Sequence, residues 1–262
     1  MPNTIPRGRF VWHELLTSDP DGATSFYTKL IGWGTQIWEG GPDPYRMWMN
    51  GGTSVGGVMQ LPDQAKQQGA PPHWLAYIAT PDVDQTIKDA ETRGGRVLSG
   101  PMDIPTIGRI AVMADPQGAV FASHTAAGEA PGHDGVPLIG EASWHELATS
   151  DPVAAFDFYS QLFGWVKTDA MDMGPAGTYQ MYGRSKDQTL GGIFAKAADA
   201  SPSAWLVYFQ VESVDAKVDL VTSLGGQVLS GPMDVPPGGD RVVQCLDPHG
   251  AAFALHSSAT AA

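Results

Sequence analysis

The chain has 262 residues, is 42% hydrophobic and carries a formal charge of −13. That balance argues against a broad nucleic-acid or anionic-membrane surface, which needs clustered Lys and Arg, and no apolar run approaches the length of a membrane span. One cysteine, Cys245, leaves no internal disulfide and no thiolate metal cluster.

Residues Met1 to Arg9 lack the basic-then-apolar layout of a secretory signal, so the expected compartment is the cytoplasm. The first element, Arg9 to Leu16, mixes aromatic, β-branched and polar residues and is predicted as a strand. Asp19 before Pro20 then places a capping carboxylate ahead of a proline at the first helical position, where the missing N–H costs nothing. Ala23, Phe26, Tyr27, Leu30 and Ile31 follow as the apolar stripe of a helix lying on a core, and Gly32 ends it with a left-handed cap. Strands are predicted at Thr35 to Glu39, Tyr45 to Asn50 and Ser54 to Leu61. The same order then restarts: strand His73 to Ala79, helix Val83 to Arg93 closed by Gly94-Gly95, and strands Arg96 to Ser99, Arg109 to Ala114 and Ala119 to Ser123. A stretch near Ala126 to Pro137 without apolar periodicity reads as a linker.

Beyond it the chain is written a second time. Trp12-His13-Glu14-Leu15 returns as Trp144-His145-Glu146-Leu147 at an offset of 132. Val97 to Asp103 is repeated letter for letter as Val228 to Asp234. A period this long is too large for a solenoid repeat. Four βαβββ modules are therefore expected, an α+β fold with curved mixed sheets, in two domains at 8–126 and 140–258 joined by a linker at 127–139. Each half, at roughly 120 residues, is long enough for a core of its own.

The chain resembles the vicinal oxygen chelate superfamily of glyoxalases, extradiol dioxygenases and bleomycin-resistance proteins, and its tandem-domain glyoxalase-like branch in particular. The residues that carry the resemblance are Trp-His-Glu-Leu, the Phe-Tyr helix ending in Gly-Trp, Trp-Leu-x-Tyr at Trp74 and Trp205, the Gly-Gly turns, and Asp-Pro-x-Gly-Ala at Asp115 and Asp247. It implies paired modules curling into a cup that holds a divalent metal and a small organic substrate, with lyase, isomerase or oxygenase chemistry. Carried over, the metal-ligand positions fall on His13 and His145, near Gly57 and Gly192, near Leu75 and Leu206, and on Ala122 and Ala254. Three of four expected ligands are thus missing in each half. His124 and His256 lie two residues beyond those alanines on the same strand face, so His13 with His124, and His145 with His256, are candidate metal ligands or pocket histidines that bond locally.

His13, His145, Glu14 and Glu146 are the candidate catalytic groups. Alternation sends each glutamate to the opposite face from its histidine, toward a helix layer, where it reads as a packing anchor or a catalytic base and where a buried carboxylate needs a donor, from Tyr27, Tyr159 or a backbone amide. Trp48, Tyr182, Trp74 and Trp205 are candidate walls for an organic ligand or core residues, and Arg109 and Arg241 are candidate anion contacts or solvated strand ends. Gly56-Gly57 and Gly191-Gly192 precede no helix and so mark a bulge or close backbone approach rather than a phosphate loop. No His-Glu-x-x-His or Pro-Cys-x-x-Cys is present, which excludes a zincin and a zinc deaminase. The partner expected is a small molecule, not nucleic acid or membrane, bound by a monomer or homodimer with or without a divalent metal. A metal-free sequestering protein is the alternative.

Overall fold

A computed structural model of the chain describes residues 6–41, 43–197, 202–236 and 238–259. Residues 1–5 of the segment read for a targeting signal lie outside these. The first half runs β1 (Phe10–Thr17), α1 (Pro20–Leu30), β2 (Gly34–Trp38), β3 (Tyr45–Asn50) and β4 (Thr53–Gln60). After a five-residue helix, α2 (Asp63–Gln67), come β5 (His73–Ala79), α3 (Val83–Thr92), β6 (Arg96–Ile104), β7 (Gly108–Ala114) and β8 (Val120–Ala126). The second half runs β9 (Ala142–Thr149), α4 (Pro152–Phe163), β10 (Val166–Asp172), β11 (Thr178–Ser185) and β12 (Gln188–Ala195). It closes with β13 (Ala204–Gln210), α5 (Val214–Ser223), β14 (Gln227–Val235), β15 (Asp240–Leu246) and β16 (Ala252–Ser257).

The strands form two eight-stranded mixed sheets, ordered β2-β3-β4-β1-β5-β8-β7-β6 and β10-β11-β12-β9-β13-β16-β15-β14. The α+β fold of four βαβββ modules is therefore as the repeat predicts. Within each module the first and last strands pair in parallel, β1 with β4 and β9 with β12 for example, and the hairpins pair antiparallel. Among the described residues no helix is long and apolar enough to cross a membrane.

The helix starts follow from their local chemistry. Asp19 accepts from the Gly22 amide at 3.0 Å, and Asp151 from Val153 and Ala154 at 3.1 and 3.0 Å, satisfying amides that have no partner inside the helix. Gly164 caps α4 in the left-handed region at φ 72°. The strand predicted to stop at Ser99 instead continues through Gly100-Pro101 to Ile104. Its pairing shifts between Ser99 and Met102, and β6 lies at the sheet edge, where proline's missing N–H breaks no central ladder.

The compact units do not follow the sequence halves. One comprises Met1–Trp12, Leu75–Asp134 and Trp144–Trp205, the other His13–Trp74, Gly135–Ser143 and Leu206–Ala262. Each core thus takes one module from each half. In the second unit Leu15, Phe26, Tyr27, Leu30, Trp33 and Trp48 pack with Phe209, Phe253 and Leu255. In the first, Ile78, Met113 and Phe121 pack with Leu147, Phe158, Tyr159 and Trp165.

A matching polar network ties each core together. Tyr27 Oη donates to Asp247 Oδ2 at 3.2 Å and accepts from Trp74 Nε1 at 3.0 Å. In the first unit Tyr159 donates to Asp115 at 3.1 Å and accepts from Trp205 at 3.1 Å. Asp247 also accepts the amides of His249 and Ala251, both at 2.9 Å, so the Asp-Pro-x-Gly-Ala motif is a turn built around its own aspartate. Desolvation raises both carboxyls above the usual range, and both tyrosine hydroxyls well above theirs.

Candidate functional site

Alternation along β1 separates His13 and Leu15 from Glu14, and Leu15 lies in the core with Phe26, Tyr27 and Leu30 of α1. Glu14 therefore points to the sheet face turned away from the helix. Arg46 on β3 confirms the assignment, because it bonds Asp21 and Thr24 of α1 at 2.8 and 3.0 Å and so leaves its neighbour Tyr45 on the helix-free face. On that face Tyr45 Oη donates to Glu14 Oε1 at 2.7 Å.

The approach depends on the glycine pair. Gly57 stands opposite Glu14 in the parallel β1–β4 pairing. A Cβ on Gly57 would lie 1.8 Å from Tyr45 Oη and 2.3 Å from Cζ, so the bare backbone is what lets the phenol cross to the carboxylate. At Gly56 a Cβ would fall 2.2 Å from the His13 carbonyl oxygen. The pair marks a close backbone approach, with a register shift between Trp48 and Met49 on the facing strand.

The first unit repeats the construction. Gly192 pairs with Glu146, a Cβ there would meet Tyr179 at 2.0 Å, and Tyr179 Oη donates to Glu146 Oε2 at 2.9 Å. Trp144 Nε1 donates to the same Tyr179 oxygen at 2.8 Å, giving a chain from indole to phenol to carboxylate. Tyr179 also stacks on Phe194 with centroids 5.7 Å apart. A carboxylate backed by a phenol can accept a hydrogen bond or a proton, and the adjacent rings offer a flat apolar wall.

The glutamates' donors differ from the expected ones. Tyr27 and Tyr159 lie on the helix side and bond Asp247 and Asp115, so Tyr45 and Tyr179 serve instead. The sequence reading missed Tyr45, Tyr179, Trp144 and Phe194. The signal available was the glycine pair, since a strand that sheds two side chains makes room for something.

The histidines go elsewhere. His13 is buried, has a backbone hydrogen bond with Val55 and sits edge-on to Phe209 at 6.4 Å, and desolvation lowers its pKa to about 4. His145 stacks on Phe10 at 3.5 Å with rings 3° from parallel. His124 Nε2 lies 3.2 Å from the Ile107 carbonyl oxygen, and burial lowers its pKa. His256 has Nδ1 at 3.0 Å from Ser143 Oγ and Nε2 at 3.3 Å from Asp240, so both its ring nitrogens are engaged. Among the described residues no three His, Cys, Asp or Glu side chains gather as a metal site.

Other candidate contacts are also absorbed by the structure. Trp48 and Tyr182 are fully buried, Trp74 is in the core of its unit and Trp205, partly buried, packs against the other core. Arg109 is clamped by Asp84 and Asp103, and Arg241 by Asp215 and Asp234, which raises both guanidinium pKa values and spends their charge inside the protein. Cys245 is buried, and desolvation pushes its thiol up to about 12, as suits a core residue and not a nucleophile.

A family profile described as the Glyoxalase/Bleomycin resistance protein/Dioxygenase superfamily matches the chain twice, at residues 9–122 and 141–255. CFP32 of Mycobacterium tuberculosis, described as a candidate glyoxylase, is 33% identical over 249 residues, covering 93% of this chain and 92% of that one. The anthracycline biosynthesis protein DnrV of Streptomyces peucetius is 34% identical over 260 residues, covering 95% and 92%. Among solved structures, the Mn(II)-bound glyoxalase of Novosphingobium aromaticivorans matches with TM-score 0.64 at 17% identity over 97% of this chain and 82% of that one. Homoprotocatechuate 2,3-dioxygenase of Arthrobacter globiformis matches with TM-score 0.67 at 13% identity, covering 98% and 82%. These two establish likeness of fold.

Proposed function

Because the chain belongs to the Glyoxalase/Bleomycin resistance protein/Dioxygenase superfamily, we propose that it binds a small organic molecule on the helix-free sheet faces and acts on it as a lyase or isomerase. The observation that carries this reading is the phenol–carboxylate pair, Tyr45 with Glu14 and Tyr179 with Glu146, built the same way in both halves. A polar pair beside flat rings suits an organic ligand with a few oxygen functions. The likeness to DnrV makes a planar, oxygen-bearing aromatic of the anthracycline type the first class to try, and the likeness to CFP32 adds the hemithioacetal of an α-ketoaldehyde. We place the protein in the cytoplasm on the same footing, with its one cysteine free.

Two probes test this: 1,4-dihydroxyanthraquinone followed by tryptophan quenching, and the methylglyoxal–glutathione hemithioacetal followed for product. Saturable binding of either, weakened at least about tenfold in Glu146→Gln or Tyr179→Phe, supports the reading, that factor being about 1.4 kcal/mol. Binding that ignores both substitutions, or none at all at about 1 mM, the top of the usual Michaelis range, counts against it. A probe bound but recovered unchanged would point to sequestering in place of turnover.

A further inference from the structure

The superfamily to which the chain belongs implies a divalent metal, and the residues present do not fit one. We infer that this chain uses its carboxylates without a metal, the phenols of Tyr45 and Tyr179 serving as the electropositive partners of Glu14 and Glu146. The inference rests on the proposed placement of the ligand beside those carboxylates.

Four observations converge. The ligand positions implied by the resemblance are held in the first half by His13, Gly57, Leu75 and Ala122. His13 is turned into the core against Phe209, and Leu75 and Ala122 are buried apolar residues at 2% and 0% exposure. The remaining position, Gly57, has no side chain, and the space its Cβ would take belongs to Tyr45, 1.8 Å away. A ligand could return to that position only by evicting the phenol. The second half arrives at the same arrangement with Gly192 and Tyr179, while its surroundings differ, since Gln180 follows Tyr179 where Arg46 follows Tyr45. Both copies thus exchange the same ligand for the same hydrogen-bond donor.

The exchange has a chemical logic. A carboxylate on a largely buried face needs a partner of positive potential, and a phenol O–H at 2.7 or 2.9 Å supplies one. A metal would hold a substrate by two neighbouring oxygens, whereas here the phenol's one proton is given to the carboxylate and the carboxylate's remaining lone pairs are left to accept from a ligand. The class of ligand that follows brings a hydroxyl or other donor to the carboxylate and does not depend on a chelating pair.

The test uses the full chain dialysed against EDTA and titrated with Mn2+ alone and Zn2+ alone, by calorimetry and, for Mn2+, by loss of the free-ion electron paramagnetic resonance signal. The expected result is no saturable equivalent tighter than about 100 µM, a free energy near −5.5 kcal/mol. Stoichiometric binding abolished in Glu14→Gln or Glu146→Gln overturns the inference. Binding that persists in both variants lies elsewhere and leaves it standing. In a second arm, dihydroxyanthraquinone affinity should agree within twofold with and without EDTA, and a tenfold loss restored by Mn2+ would also overturn it. Failure of that probe to bind bears on the proposed function, while the metal titration still decides this point.

Discussion

Gly57 and Tyr45 are complementary: the hydroxyl of one lies 1.8 Å from where the side chain of the other would begin. Gly57→Ala should therefore displace the phenol from Glu14 and destabilise the fold by about 1–3 kcal/mol through overpacking. Tyr45→Ala in the same chain should recover part of that loss, because it removes the atoms that clash. A double-mutant cycle on denaturant midpoints reads the coupling. Equal losses for Gly57→Ala with and without Tyr45 would refute the complementarity. Gly192 and Tyr179 should behave the same way.

His13 carries a pH dependence of definite sign. Its folded pKa of about 4 lies below the ordinary histidine value of 6.5, so the unfolded chain binds the proton first. The contribution is present above pH 6.5 and is lost as pH falls toward 4, amounting to about 3 kcal/mol at 1.36 kcal/mol per unit. Asp115 and Asp247, raised by desolvation, act oppositely, since their contribution is lost as pH rises through the raised range. Urea denaturation between pH 7 and 4.5 should show a shallower decline in His13→Gln than in the parent, and an unchanged slope would contradict the burial argument.

Removing the hydroxyl of Tyr27 leaves Trp74 Nε1 without its acceptor and Asp247 Oδ2 without the donor it has from Tyr27, both in a buried setting, while Oδ1 keeps its two backbone amides. Tyr27→Phe is expected to cost on the order of 2–4 kcal/mol, far more than an exposed Tyr→Phe change. Tyr159→Phe should cost a similar amount in the other unit. A midpoint shift under about 0.5 kcal/mol, the size of an ordinary surface substitution, would show that neither group depends on the phenol.

Arg109 and Arg241, near the starts of β7 and β15, are committed to Asp84 and Asp215 in the first turns of α3 and α5. Arg109→Gln should leave probe affinity unchanged and lower stability slightly, the loss shrinking in high salt because the pair is solvent-screened. A drop in ligand affinity with stability intact would return the residue to the binding face.

Helix starts, strand order and the four-module plan were legible because each is written in a few neighbouring residues: Asp19-Pro20 caps, apolar stripes, Gly-Gly stops. The continuation of β6 through Gly100-Pro101 was not, because only the edge position makes a proline harmless there. The partner of Glu14 lies 31 residues away and that of Glu146 33 residues away, beyond any local pattern, though the glycine pairs opposite them announced a close approach. The histidines misled for a related reason. Strand alternation gives two faces but not which one meets the helices, and it is the His13 side that does.

The crosswise cores have a further consequence for how the chain can be divided. Phe26 meets Phe253, and Tyr27 meets Asp247, across more than two hundred residues of sequence. A gene cut at the linker would therefore yield two polypeptides that each hold half of two interiors, and neither should fold unless the other is supplied. Mixing the separately expressed pieces should restore a cooperative transition, making the duplication a pair of mutually dependent fragments whose shared covalent chain sets their concentration for each other.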